Sequence, residues 1–273
     1  MSLLPQAAGS MRIIAVPLAR TVLPTVPAFY SFRIISPPPV PKPAAAHGFL
    51  ARRLPEEGLG RWASHKANTT WKSFGKAPDG TWKLRAFRLG ERLMDRLDFE
   101  EVTLKTIDIS IAPKITGKPK DVEVPLLYAP SVHSGPESLE NLKSLAEQRI
   151  PIHRRGVATW IFLAILSAPL KLIPIIPNLP FYFCAWRSWS HFKAMRAARY
   201  LQDLIRVNAI VPRPYPALDG VYAPALSGPS ATVFPTATLG KAMKVLSMEP
   251  EEAKELLRAH DQVLSRLGTA EKK

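Results

Sequence analysis

Between residues 156 and 186 the chain reads GVATWIFLAILSAPLKLIPIIPNLPFYFCAW, and its one charge is Lys171, at the midpoint. No other stretch restricts the fold so strongly. A helix that crosses a hydrocarbon layer of about 30 Å needs about 20 apolar residues. Residues 156–170 number 15, about 22 Å as a helix. Residues 172–186 are broken by Pro174, Pro177 and Pro180, so neither half spans comfortably alone. The eleven Val, Leu, Ile and Phe residues between 157 and 176 favour insertion by roughly 3–7 kcal/mol. A central lysine returns about 2.5–3.5 kcal/mol of that.

The flanks point to a hairpin. Arg149, Arg154 and Arg155 precede the segment, and Arg187, Lys193, Arg196 and Arg199 follow it. Positive residues stay on the side that is not translocated, and only a hairpin keeps both clusters there. The expectation is a hairpin that enters a membrane deeply and turns near the prolines and Lys171, which would snorkel toward the far headgroups. Its embedded positions would be Trp160, Ile161, Phe162, Leu163, Ile165, Leu166, Lys171, Ile173 and Ile176. At the interface would lie Phe181, Tyr182, Trp186 and Trp189, with the cations Arg154, Arg155, Arg187, Lys193, Arg196 and Arg199. The exit helix has Asn178 as a cap and Pro180 in its first turn. Trp186, Ala194, Ala197, Ala198, Leu201, Leu204 and Ile205 share one of its faces, opposite Lys193, Arg196, Arg199 and Arg206. Such a helix suits an anionic bilayer surface. The alternative is a buried hairpin in an all-helical core.

Charge placement adds context. The chain carries 37 Lys+Arg against 22 Asp+Glu, a formal net charge of +15. Residues 1–55 hold Arg12, Arg20, Arg33, Lys42, Arg52 and Arg53 and no acid, one mark of a mitochondrial presequence, although Pro5, Pro17, Pro24 and Pro27 interrupt any helix there. Residues 148–202 are also free of acid. A single cysteine, Cys184, excludes a disulfide framework and reads as an inert buried thiol.

The predicted fold class is α+β and predominantly helical: a small antiparallel N-terminal sheet with helices, the membrane-inserting hairpin, and a C-terminal helix. Residues 1–55 form a basic, Pro-rich segment with short strands at 11–18 and 28–35. Residues 56–150 form a helical region with one strand, near 121–128, where Pro125 favours a sheet edge. Within that region helices are marked by Trp62, Trp71 and Phe74, then by Trp82, Leu89 and Leu93, then by Leu139, Leu142 and Ala146 up to a stop near Pro151. Asp79-Gly80 reads as the end of the first helix and the cap of the second. Residues 151–210 hold the hairpin and the basic amphipathic helix, and 211–240 a Pro-rich loop. Residues 241–273 form the C-terminal helical region, opened by Pro250-Glu251-Glu252. Its buried stripe is Leu256, Leu257, His260, Val263, Leu264 and Leu267, and Gly268 ends it.

Catalytic signatures are absent from the sequence. No phosphate-binding loop, nucleophile elbow or His-Glu-x-x-His occurs, and the six histidines never pair at ligand spacing. The acidic knot GERLMDRLDFEE, with Asp95, Asp98, Glu100 and Glu101, reads as a salt-bridged helix end. The chain is therefore expected to be no enzyme and to need no cofactor or metal. Nucleic acid is not expected as a partner either, because Trp62, Trp71 and Trp82 fall on helical apolar stripes in a region of balanced charge.

MRIIAVPL, KANTTWKSF, GERLMDRLDFEEVTLKTI, VEVPLLYAP, IPNLPFYFCAWRSWSHFKAMRAARYLQ and ELLRAHDQVL together resemble the mitochondrial potassium–proton exchange-related family over roughly residues 11–267. The resemblance implies a protein of the mitochondrial inner membrane tied to exchange of K⁺ for H⁺ and to matrix cation and volume homeostasis. It supplies no transport residues. Cation antiport uses carboxylates at membrane depth, and the segment here has none. The expected role is accessory, with an anionic lipid membrane and a membrane protein of the exchange system as partners. The alternatives are a membrane-anchored scaffold or assembly factor, or an organellar RNA-binding protein.

Overall fold

The computed structural model describes residues 10–20, 27–35, 59–94, 96–115, 122–169, 179–227 and 232–270. They form two compact units, Pro39–Leu97 and the remainder, Met1–Pro38 with Asp98–Lys273.

In the smaller unit, α1 (Leu59–Gly75) and α2 (Trp82–Met94) form a helical hairpin. Trp71 packs on Phe74 and Phe87 with ring centroids 6.2 and 5.2 Å away, and its indole donates to Glu91 at 3.2 Å. The turn between them places Gly80 at φ +84°, which glycine adopts without steric cost. The cap of α2 is Thr81, whose hydroxyl accepts from the Leu84 amide at 3.4 Å, and not the preceding Asp79-Gly80. Asp79 instead pairs with Arg88 at 3.0 Å.

The larger unit is built on a four-stranded sheet in the order β2-β1-β3-β4. Its strands are β1 (Met11–Pro17), β2 (Ala28–Ile34), β3 (Val124–Tyr128) and β4 (Ile210–Pro214). The helices are α3 (Phe99–Lys105), α4 (Gly135–Ser167), α5 (Leu179–Arg206), α6 (Pro216–Leu226), α7 (Thr236–Val245) and α8 (Pro250–Ala270). Both faces of the sheet are covered. Ile13, Ala15, Tyr30, Phe32 and Leu126 point into a core with Leu104, Leu142, Ala194, Ala198, Leu201 and Leu204. Ile14, Val16, Phe29 and Leu127 point into a second core with Leu218, Tyr222, Leu239, Leu256 and Val263. Burial on both sides explains why, after Arg12, β1 is a continuous apolar run from Ile13 to Val16 with no polar alternation. Because β1 and β2 are central to these cores, residues 11–17 and 28–34 belong to the fold.

The sheet is mixed, which corrects the antiparallel N-terminal sheet expected from sequence. β1 and β2 pair antiparallel from Met11↔Ile34 to Pro17↔Ala28. β3 runs parallel to both β1 and β4. Pro125 therefore lies in an interior strand and not at an edge. The Val124 amide donates to Ala209 at 2.8 Å, so alternation turns the position of Pro125 toward β1. There the ladder has only two registers, Ile13↔Leu126 and Ile14↔Leu127, both beyond the residue that lacks an N–H.

Three further expectations change. α4 does not stop at Pro151 but runs through it. Pro151 is exposed, so the carbonyl it leaves without a donor faces water, while the core and α5 hold the helix on either side. Residues 211–240 form no wandering loop: the described part holds β4, α6 and the start of α7. Pro212 and Pro214 sit in an edge strand, where prolines are tolerated, and Pro216 opens α6, where a missing N–H costs nothing. α8 continues past Gly268, and Leu257 and Leu264 point outward while Leu256, Ala259, His260 and Val263 are buried.

Candidate functional site

α4 and α5 together form the crossover that joins the parallel neighbours β3 and β4. α4 is fixed at its start by a capping box: the Ser134 amide donates to Glu137 at 2.7 Å, and the Glu137 amide donates back at 3.4 Å. Its 33 residues give it a length of about 50 Å, and the 28 of α5 about 42 Å. The two run antiparallel, with Trp160 edge-on to Phe183 and the Ser188 hydroxyl donating to the Val157 carbonyl at 3.4 Å. The base of this pair is buried on the sheet. The far end is not.

At that far end Phe162, Ile165 and Leu166 are 65%, 67% and 66% exposed. Ile161, Tyr182, Trp186 and Trp189 are exposed beside them, whereas Trp160, Leu163 and Phe181 are half-buried. Lys171, Ile173 and Ile176, together with Asn178, expected from sequence as a cap, lie outside the described residues. Among the described residues no helix is long and apolar enough to cross a membrane, so a deeply inserted hairpin is not supported. The apolar face of α5 also has a different partner from the expected one. Ala194, Ala197, Ala198, Leu201 and Leu204 are covered by the protein's own core. Arg154, Arg155, Lys193, Arg196 and Arg199 remain exposed, with Arg196 over the Phe192 ring at 5.7 Å.

Arg187 departs most from expectation. Instead of facing headgroups it is buried, and its two terminal nitrogens donate to the two oxygens of Glu101 at 2.7 and 3.3 Å. Such bidentate pairing compensates a buried guanidinium. Its Cζ lies 5.7 Å from the ring centroids of both Trp160 and Trp186. The Ser190 hydroxyl donates to Glu101 at 2.8 Å, and Lys105 donates to Ser190 at 2.8 Å. Burial alone would raise the Glu101 carboxyl, but hydrogen bonds and charge from Arg187, with Lys105 and Ser190, outweigh it and hold it at about 2. Of the acidic knot, Asp95 lies outside the described residues, and the others are salt-bridged, mostly to distant partners: Asp98 and Glu100 both meet Arg149 and Arg266.

Two histidines complete the cluster. His153 of α4 and His191 of α5 are buried with their Nδ1 atoms 3.0 Å apart, a pairing that spacing along the chain does not show. Arg187 Nη2 lies 2.9 Å from His191 Nε2. A guanidinium only donates, so His191 Nε2 carries a lone pair and its proton sits on Nδ1. That proton is donated to His153 Nδ1, which leaves the His153 proton on Nε2, a buried atom with no partner among the described residues. These tautomers follow from the network. Glu101, His153 and His191 also offer three donor atoms of the kind that hold a metal. A cation there would need His191 Nδ1 free of its proton while Arg187 occupies the other nitrogen, and it would face both Arg187 and Lys105. The protons fit a hydrogen-bonded chain and not a metal centre.

The six residues come from three helices, up to 90 positions apart in the chain. One signal of the site is present in the sequence: Arg187 follows an apolar run with no nearby acid, so burying it requires a distant carboxylate. His260 and Cys184 are buried as expected, His260 with Nε2 2.9 Å from the Phe234 carbonyl.

The chain is 25% identical over 167 residues to the uncharacterized protein YDL183C of Saccharomyces cerevisiae, covering 53% of this chain and 52% of that one. It is 28% identical over 145 residues to the uncharacterized protein C23H3.12c of Schizosaccharomyces pombe, covering 51% of this chain and 60% of that one. It thus spans between half and two thirds of the length of these curated relatives. No solved structure matches. The family model described as mitochondrial K⁺-H⁺ exchange-related matches residues 12–205, from β1 to the end of α5, and the chain belongs to that family.

Proposed function

We propose that this protein is an accessory component of K⁺–H⁺ exchange at the mitochondrial inner membrane, seated on the bilayer by the far end of the α4–α5 pair. One observation carries the reading: the stripe of Ile161, Phe162, Ile165 and Leu166, exposed to solvent on a helix whose neighbouring surface carries Arg154 and Arg155. Full burial of such a side chain is worth about 1.5–3 kcal/mol. Four side chains about half to two-thirds exposed therefore offer roughly 4–7 kcal/mol to a lipid phase. Each nearby cation adds about 1 kcal/mol on an anionic surface. That suffices for interfacial seating without a crossing.

An accessory role fits better than conduction. Residues 148–202 contain no acid, so the membrane-facing part has no carboxylate to exchange an ion for a proton. The competing reading is an anchored scaffold without a part in transport. Matrix swelling of isolated mitochondria in potassium acetate separates the two. Loss of swelling control in a deletion strain, restored by the wild-type chain and not by Phe162→Glu/Ile165→Glu, supports the exchange reading. Normal swelling in the deletion strain leaves the scaffold. Robust exchange by the protein alone in proteoliposomes would overturn the accessory role.

A further inference from the structure

We propose that the His153–His191 pair is a proton-binding site whose occupation opens the seam between α4 and α5. The proton inventory carries the inference. In the neutral chain Arg187 donates to His191, His191 donates to His153, and His153 Nε2 already bears its hydrogen. The only lone pairs left on the two rings are His191 Nε2 and His153 Nδ1, and both are acceptors in the chain. A proton added to either turns an acceptor into a donor facing another donor. On His191 it meets Arg187 at 2.9 Å, and on His153 it meets the His191 N–H at 3.0 Å. There is no third place for it.

The surroundings set the direction. Facing the pair are Glu101 and Lys105 from α3, Arg149 from α4 and Arg187 from α5. Burial lowers His153 to about 4. Glu101 opposes that shift, while His191, Arg149 and Arg187 add to it. Burial lowers His191 too, opposed by Glu101 and helped by Arg187 and Lys105. The folded-state values lie below the ordinary 6.5. The closed seam is therefore fully favoured above about 6.5 and is lost as pH falls toward the folded-state values. Between those limits the opened population rises about tenfold per pH unit for each proton taken up.

Release of Arg187 would reach the exposed end directly, because the same guanidinium makes cation–π contacts with Trp160 and Trp186. The use of such a site in exchange rests on the reading above, whereas the proton chemistry belongs to the purified chain.

The test is hydrogen exchange on purified protein from pH 7.5 to 4.5, read by mass spectrometry at the histidine Cε1 positions and at backbone amides of 150–165 and 183–195. Expected are imidazole midpoints below 6.5 for both rings and a rise in seam exchange, corrected for intrinsic rate, of about tenfold per pH unit. Gln keeps a donor and an acceptor but cannot take a proton, so His153→Gln and His191→Gln should each stay closed at pH 7.5, and the double variant, with neither ring left to protonate, should lose the rise. The proposal is overturned by a seam that stays protected to pH 4.5, by the same rise in the double Gln variant, or by stoichiometric zinc binding at neutral pH. If a Gln variant does not fold, midpoints at or above 6.5 in the wild type overturn it. No organelle assay enters, so failure of the exchange reading and failure of the proton site are told apart.

Discussion

Gly156→Ala tests how closely α4 and α5 approach at the histidine chain. In an unencumbered helix, Gly→Ala stabilises by about 1 kcal/mol. A Cβ at Gly156, however, would lie 2.7 Å from Cγ and Nδ1 of His191 and 2.8 Å from its Cδ2. Carbon contacts settle at about 3.5–4.0 Å, so the ring must retreat by roughly 0.7–1 Å. That takes its 2.9 and 3.0 Å hydrogen bonds to or beyond the bonding limit. Overpacking of this kind costs about 1–3 kcal/mol, and the bonds to Arg187 and His153 add about 0.5–1.5 kcal/mol or more. Against the helix gain, the net is a loss of about 1–3 kcal/mol. Gly220 in α6 and Gly240 in α7 would present a Cβ to open space, so the same substitution there should stabilise by up to about 1 kcal/mol. Urea denaturation followed by circular dichroism reads all three. With a slope of about 2 kcal/mol per molar, midpoints should move by roughly 1 M downward for Gly156→Ala and by less than that upward for the controls. A Gly156→Ala midpoint that rises with the controls would refute the close approach and the seated His191.

Three further outcomes follow from the same packing. Arg187→Met alone should destabilise by about 3–5 kcal/mol, because it strands the Glu101 carboxylate, and Arg187→Met with Glu101→Leu should recover most of that in the same denaturation assay. Leu201→Ala, in the core, should cost about 2–5 kcal/mol, while Phe162→Ala should leave stability within about 0.5 kcal/mol and weaken co-sedimentation with anionic liposomes. The Glu101 carboxyl, lowered from 4.5 to about 2, stabilises the fold above its unfolded value and loses that contribution as pH falls from about 4.5 to about 2. Glu101→Gln should accordingly flatten the acid limb of a stability–pH curve.

Much of the secondary structure is legible in the sequence because it is locally determined. The β-branched pair Ile13-Ile14 and the aromatic pair Phe29-Tyr30 mark β1 and β2, and the spacing of Leu256, His260 and Val263 marks the buried side of α8. Proline misleads wherever its neighbours decide its cost. Pro151 persists inside α4 because its orphaned carbonyl meets water, and Pro125 enters an interior strand because the ladder beside it is short. The apolar face of α5 has the pattern of an interfacial helix, and pattern alone does not distinguish lipid from the apolar side of a sheet. The histidine chain is illegible for another reason. His153, His191 and Glu101 meet only because α4 and α5 fold back on one another beside α3, and nothing in the 37 residues between the two histidines encodes the distance.

β3 and β4 are hydrogen-bonded parallel neighbours, with Val124 opposite Ile210 and Tyr128 opposite Pro214. The chain therefore leaves the sheet at one end of the ladder and re-enters at the other, about 14 Å away. The long excursion between them is thus held at both ends by one ladder, like a loop of thread pulled from a seam. Residues added to or taken from α4 and α5 in matched pairs would change the reach of the outer end and leave every strand register untouched. Reach and foundation are separately adjustable in this molecule, and a shortened arm that still folds would show it.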